Sequence, residues 1–138
     1  MLLSPHSGRE AKAAVARILL AEDDETMRLF LDRALSRAGH TVDSVGDGLS
    51  AVAALRRWRY DLLLTDVVMP GLDGVQVAQQ AATGDPRLRI MFITGFAALA
   101  MEGANDLPEQ PDIVVKPFHL KDVVGHVDRL LKAQAGTA

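Results

Sequence analysis

The sequence predicts an α/β domain in which helices cover both faces of a five-stranded parallel sheet, and three observations carry that expectation. First, short apolar runs recur along the chain: Ile18-Leu19-Leu20, Leu62-Leu63-Leu64, Ile90-Met91-Phe92-Ile93 and Ile113-Val114-Val115. Runs of this length, bounded by turn residues, suit strands buried on both faces of a parallel sheet. Second, the segments between them carry apolar residues at helical spacing. Third, the apolar runs end in polar residues, and in open α/β sheets ligands bind at the carboxyl ends of the strands.

The elements follow in order. Residues 1–16 read as an N-terminal tail broken by Pro5 and Gly8. The first strand is Arg17-Ile18-Leu19-Leu20, ending in Ala21-Glu22-Asp23-Asp24. The helix after it places Met27, Phe30, Leu31, Ala34, Leu35 and Ala38 on one face, with Gly39 to end it. Thr41-Val42-Asp43-Ser44-Val45 alternates apolar and polar, as a less buried strand does. Gly46-Asp47-Gly48 turns into a second helix through Leu49, Val52, Ala53 and Leu55, ending near Trp58.

After the leucine strand, a third helix starts at about Asp73, apolar at Val75, Ala78, Ala81 and Ala82, and Gly84-Asp85-Pro86 stops it. The fourth strand ends in Thr94-Gly95. Between 96 and 111 the reading stays open between a short helix from Ala97 to Met101 and an irregular element, because Gly103, Asn105, Pro108 and Pro111 intervene. The fifth strand ends in Lys116-Pro117. The last helix carries Leu120, Val123, Val124, Val127, Leu130 and Leu131 on one face. Right-handed crossovers then imply a doubly wound, flavodoxin-like sheet of order 2-1-3-4-5. The domain is placed at residues 17–133, with 134–138 as a C-terminal tail.

At 138 residues the chain fits one domain with a single well-filled core. Its 49% hydrophobic and 24% charged content is that of an ordinary soluble globule. A net charge of −3 disfavours a general nucleic-acid surface. Cysteine is absent, which excludes disulfides, thiolate zinc sites and thiol catalysis and is compatible with the cytoplasm. No apolar run reaches membrane-spanning length, and Met1-Leu2-Leu3 is too short for a signal-peptide core.

The topology gathers Glu22 and Asp23, Asp66, Thr94 and Lys116 at neighbouring strand ends. Three carboxylates in one pocket repel one another unless compensated, and a hard divalent cation such as Mg2+ compensates them. A lysine adds a point charge for an anion, and a threonine hydroxyl can hold its oxygens. Together these groups describe phosphoryl transfer to a carboxylate nucleophile. Asp66 is the best candidate for that nucleophile, because it stands alone on the central strand, whereas Glu22 and Asp23 form a pair suited to the metal.

The motifs Glu22-Asp23-Asp24, Leu64-Thr65-Asp66-Val67-Val68-Met69-Pro70-Gly71-Leu72-Asp73-Gly74, Thr94-Gly95 and Val115-Lys116-Pro117-Phe118 resemble the receiver domains of two-component response regulators. The resemblance runs from Arg17 to about Ala133. Four motifs in the right order at the right strand ends make it specific. The stretches Ile18 to Asp24, Met91 to Ala98 and Lys116 to Leu120 resemble in particular the CpdR-type single-domain regulators of alphaproteobacteria.

The resemblance implies that Asp66 accepts a phosphoryl group from a phosphohistidine on a histidine kinase or histidine phosphotransfer protein. It implies Mg2+ ligation by Asp23, Asp66 and the main-chain carbonyl of Val68, with Glu22 acting through a water. Lys116 pairs with Asp66 and then with the phosphoryl oxygens, Thr94 is the switch hydroxyl, and the Lys116–Pro117 bond is cis. It further implies a cytoplasmic protein, a monomer or weak dimer, without nucleic-acid binding or membrane insertion. Self-phosphorylation and slow autodephosphorylation are its only chemistry, so it is not an enzyme in the usual sense. No further domain is expected after Ala138, so output is expected through protein docking, an ATP-dependent protease being the partner that the CpdR-type resemblance implies.

Two other functions remain open on the residues. One is a magnesium-dependent phosphohydrolase of the haloacid-dehalogenase type, which needs a second acid where this chain has Val68. The other is a metal-free pseudo-receiver that only binds partners, disfavoured because no primary site residue is missing. Plainer readings also stand beside the site. Any of Glu22-Asp23-Asp24 can cap the first helix. Arg56, Arg57 and Arg59 read as a solvated helix end, the four histidines as surface residues, and Trp58 as packing. Many receivers carry an aromatic three residues before the lysine; here that position is Ile113, and Phe96 is the nearest aromatic candidate for a switch reporter.

Overall fold

A computed structural model describes residues 15–136, with side chains as far as Lys132. Among the described residues five strands alternate with five helices: β1 (Arg17–Ala21), α1 (Glu25–Arg37), β2 (Thr41–Val45), α2 (Gly48–Arg57), β3 (Leu62–Thr65), α3 (Gly74–Gly84), β4 (Arg89–Thr94), α4 (Ala97–Ala104), β5 (Asp112–Val115) and α5 (Leu120–Gly136). All strand pairs are parallel, in the order β2-β1-β3-β4-β5. The flavodoxin-like doubly wound sheet read from the sequence is therefore the fold.

The pleat sorts the core into two halves. Leu19, Leu63 and Phe92 point to one face, where Ala51 and Val52 of α2, Val77 and Ala78 of α3 and Ala100 of α4 meet them. Ile18, Leu20, Leu62, Leu64, Met91 and Ile93 point to the other, against Leu31 and Leu35 of α1 and Val123 and Val127 of α5. Each fully buried leucine contributes about 2 kcal/mol, so the three leucines of β3 anchor both halves at once. β2 lies at the sheet edge and is only half-buried, as its alternation predicts.

The helix starts are written locally. Asp24, Asp47 and Asp73 each cap a helix by accepting from the backbone N–H three residues on. Asp73 and Gln76 complete a reciprocal capping box. Gly39 ends α1 at φ 103°, a conformation that side chains with a Cβ rarely adopt.

Several expectations are corrected. Phe30 is half-exposed, because the inward seam of α1 centres on Leu31 and Leu35 and Phe30 lies roughly 100° away from Leu31. In α2, Ala51 and Val52 face inward while Leu49 and Ala53 face solvent. The segment after Phe96 is a regular helix to Ala104, running through Gly103. That glycine is a contact rather than a breaker, since a Cβ there would lie 2.4 Å from Val75 Cγ2.

At the chain ends, Ala16 is already core: its carbonyl accepts from Thr41 N–H at 2.8 Å. Residues 1–14 of the expected tail lie outside the described residues. α5 continues past Ala133 to Gly136.

His40 is buried, not on the surface. Its Nδ1 accepts from Ala16 N–H at 3.1 Å, and its Nε2 lies 2.8 Å from Asp128 Oδ1 on α5. His126 is half-buried and pairs with Asp112 at 2.5 Å. Trp58 is half-exposed, stacked under the Arg17 guanidinium at 5.0 Å.

Arg17 also lies over the Tyr60 ring at 5.4 Å, and the Tyr60 hydroxyl donates to Asp43 Oδ2 at 2.7 Å. Burial, together with the bond to Asp43, pushes the Tyr60 phenol up to about 12 from its ordinary 10. A group raised in the fold stabilises it fully below its unfolded value and ceases to do so as pH rises through the folded value. Stability is therefore expected to fall between pH 10 and about 12. Phenolate absorbance of this single tyrosine, followed against pH in folded and denatured protein, measures the shift. An unshifted native titration would contradict the Tyr60–Asp43 contact.

Candidate functional site

The parallel ladders deliver the candidate residues to one edge. Ala21 is in register with Thr65, and Asp66 N–H donates to the Ala21 carbonyl at 2.9 Å, so Glu22 and Asp66 emerge side by side. Thr94 is in register with Val115, and Lys116 N–H donates to the Thr94 carbonyl at 2.9 Å. The cis Lys116–Pro117 bond expected from the sequence is present.

Lys116 ties the edge together. Its Nζ donates to Asp66 Oδ2 at 2.7 Å and lies 2.9 Å from Glu22 Oε1. The other Asp66 oxygen, Oδ1, accepts from Val67 N–H at 2.7 Å. Glu22 Oε2 accepts from Asp24 N–H at 3.0 Å. Glu22 is only 1% exposed, and its Oε1 accepts no hydrogen bond of normal geometry, leaving the ammonium as an ion-pair partner alone.

Burial accordingly pushes the Glu22 carboxyl above its ordinary value, and the nearby Asp66 charge adds to that; Lys116 and the Asp24 N–H oppose it. Burial pulls the Lys116 ammonium down, yet its hydrogen bond to Asp66 and the ion pairing with Asp66 and Glu22 win, and the net shift is upward. The charge of the pair is thus held in place by both acids.

Carboxylate oxygens of Glu22, Asp23 and Asp66 lie within 4.8 Å of one another. An all-oxygen donor set, one member fully buried and incompletely bonded, fits a hard divalent cation. Val68 follows Asp66 in the loop, with its side chain exposed. Thr94 is fully buried, and its Oγ1 accepts from Phe96 N–H at 2.9 Å, so the hydroxyl is tied to the loop that opens α4. Phe96 is 53% exposed, whereas Ile113 is half-buried in the sheet and packs against the α2–α4 side of the core.

Two contributors were not read from the sequence. Arg28 donates from its guanidinium to the Glu22 carbonyl at 2.7 Å, fixing the turn that carries Glu22 and Asp23. A Cβ on Gly46 would lie 2.9 Å from that guanidinium. Nothing local marks this pairing, because Gly46 belongs to the next βα loop. Gly74 is the other: a Cβ there would lie 1.9 Å from the Asp66 carbonyl oxygen. A glycine opening a helix after a proline-glycine turn reads only as turn chemistry.

Comparison with known proteins agrees with this architecture. Residues 18–128 match the family described as response regulator receiver domain. The chain is 49% identical over 117 residues to the response regulator receiver protein CpdR of Brucella abortus, an alignment covering 85% of this chain and 98% of that one. It is 35% identical to the transcriptional regulatory protein TctD of Salmonella typhimurium, over 87% of this chain but only 54% of that protein.

Among solved structures, a response regulator receiver protein from Sinorhizobium medicae superposes with a TM-score of 0.78 at 34% identity, over 87% of this chain and 97% of that one. Among the described residues no helix is long and apolar enough to cross a membrane. With the sheet order, the acidic edge and the bridging lysine in place, the chain belongs to the response regulator receiver domain family of two-component systems.

Proposed function

We propose that the chain is a stand-alone phosphoacceptor switch, its working unit spanning residues 17–133, in which Asp66 takes a phosphoryl group from a phosphohistidine. The observation that carries this reading is the Lys116 ammonium, 2.7 Å from Asp66 Oδ2 and 2.9 Å from Glu22 Oε1 beside three clustered carboxylates. In the transfer, a carboxylate oxygen of Asp66 attacks phosphorus as the P–N bond breaks, and the departing imidazole keeps the electron pair and gains a proton.

Glu22, Asp23, Asp66 and the Val68 carbonyl are the residues that would hold Mg2+. The metal would supply charge neutralisation at the phosphoryl oxygens. Lys116 neutralises the acceptor before transfer and the phosphoryl oxygens after it. Thr94, once its hydroxyl leaves Phe96 N–H, donates to the same oxygens and draws the loop at the start of α4 with it. Output follows from changed protein docking in the cytoplasm, and the CpdR-type resemblance favours an ATP-dependent protease as partner. A phosphohydrolase reading is disfavoured because an apolar side chain, Val68, stands where a general acid is required.

The test is intact mass after incubation with magnesium and a small phosphodonor. Wild type is expected to gain one phosphoryl group, and Asp66→Asn none. Equal labelling of Asp66→Asn would overturn the assignment.

Decay of the phosphorylated form is expected to be slow without a partner. The positions two residues beyond Asp66 and Thr94 are Val68 and Phe96, both exposed and without a group to hold a hydrolytic water. Val68→Asn is expected to dephosphorylate faster. Unchanged or slower decay, followed by loss of the added mass, would count against this account.

A further inference from the structure

At the end of the sheet opposite Asp66, the last turns of α2 and α3 enclose a groove of about 720 Å³. Trp58 lines it half-exposed and Leu55 half-buried, while Val52, Tyr60 and Leu88 line it from the buried core. Arg56, Arg57 and Arg59 stand on it exposed, with Arg57 lying over the Trp58 ring at 5.8 Å. Among the described residues Asp85 is the one acid that lines it, 4.0 Å from the Arg59 guanidinium, the outer limit of an ion pair. Three guanidiniums against one carboxylate make this face positive on a chain whose net charge is −3.

The acidic phosphoacceptor edge does not cancel it, because the run from Tyr60 to Asp66 spans roughly 20 Å. Charges that far apart are screened, the Debye length being about 8 Å at physiological salt.

We infer that this groove docks an acidic segment of another protein, one that presents large apolar side chains flanked by carboxylates. The apolar lining takes the apolar side chains, and Arg56, Arg57 and Arg59 meet the carboxylates. Charge complementarity selects this occupant. A second copy meeting this face with its own would bring three guanidiniums against three. A nucleic-acid backbone would leave the apolar lining uncovered. This surface is separate from the site at Asp66, and the inference stands apart from phosphoryl transfer.

The test uses the indole N–H resonance of Trp58, the single tryptophan, in the full-length protein. The probe is a synthetic peptide with a Leu-Phe centre flanked by glutamates, compared with the same peptide flanked by lysines. Wild type is expected to bind the glutamate peptide about ten-fold more tightly, the effect of two exposed charge pairs. Arg56→Glu combined with Arg59→Glu is expected to reverse the preference while Asp66 still accepts a phosphoryl group at the wild-type rate.

Equal affinity for the two peptides, or shifts centred on Phe96 to Met101 instead of Trp58, would overturn the inference. So would Trp58 shifts that depend on protein concentration alone, which would assign the face to a second copy. A tighter response to a single-stranded oligonucleotide of matched charge would assign it to nucleic acid and overturn the inference equally.

Discussion

Replacing Lys116 by methionine is expected to lower folding stability by about 1–3 kcal/mol at neutral pH without added divalent cation. Breaking a buried ion pair typically costs more, about 3–5 kcal/mol, but the Lys116 side chain is a quarter exposed and water screens part of the loss. The methionine fills similar space, so the deficit reports charge: Glu22 at 2% and Asp66 at 8% side-chain exposure are left facing each other.

The sign of the pH dependence follows. Glu22 is already raised above its ordinary value in the wild type, and losing the cation raises it further. A raised carboxyl stabilises the fold when protonated and loses that contribution as pH climbs through its folded value. The deficit of the variant is therefore expected to shrink as pH is lowered through the carboxylate range, and to shrink when magnesium is added. Urea denaturation across pH, with and without the metal, measures both. A deficit independent of pH and metal, or a variant as stable as wild type, would mean that the lysine does not carry the charge balance of the site.

Gly74→Ala is expected to cost about 3 kcal/mol, in the range of an overpacked interior. The three nearest atoms to the new Cβ are all backbone: the Asp66 carbonyl oxygen at 1.9 Å, its carbon at 2.8 Å and Val67 Cα at 2.9 Å. No flexible side chain can yield, and the Gly74 N–H to Val67 carbonyl bond, 2.7 Å, holds the two strands of the loop together. The chain must move at Asp66 itself, so phosphoryl acceptance is expected to fall with stability.

Gly84→Ala, at the other end of the same helix, is the control. Nothing lies within 4 Å of a Cβ there, and alanine gains up to about 1 kcal/mol over glycine in a helix. Opposite signs for the two substitutions in thermal and denaturant unfolding are the expected result. A neutral Gly74→Ala would contradict the close approach of α3 to Asp66.

Most of the fold, and the gathering of the candidate site residues at one sheet edge, was legible because the signals are local. Leu62-Leu63-Leu64 followed by an acid and a turn marks a buried strand ending at a functional edge, and Lys116-Pro117 after an apolar triplet marks another. What escaped was set by contacts distant in sequence. His40 reads as a surface residue until Asp128, far along the chain on α5, is brought to 2.8 Å of it. Gly103 reads as a helix breaker until Val75 packs against it. Phe30 and Leu31 look equally suited to the inner face of α1, and only the docking of that helix separates them. Arg28 carries no motif at all; its role appears when the Glu22 carbonyl turns toward it.

The proposed phosphoacceptor is the Asp66 carboxylate, and hydride trapping tests it most directly. After treatment with magnesium and a small phosphodonor, borohydride reduces an aspartyl phosphate to the alcohol, converting the aspartate to homoserine. Peptide mass mapping then locates the change. Homoserine at position 66, and only there, is the predicted result. Reduction at Glu22, Asp23 or Asp24 with an intact Asp66, or a phosphoryl group recovered on a histidine, would contradict it.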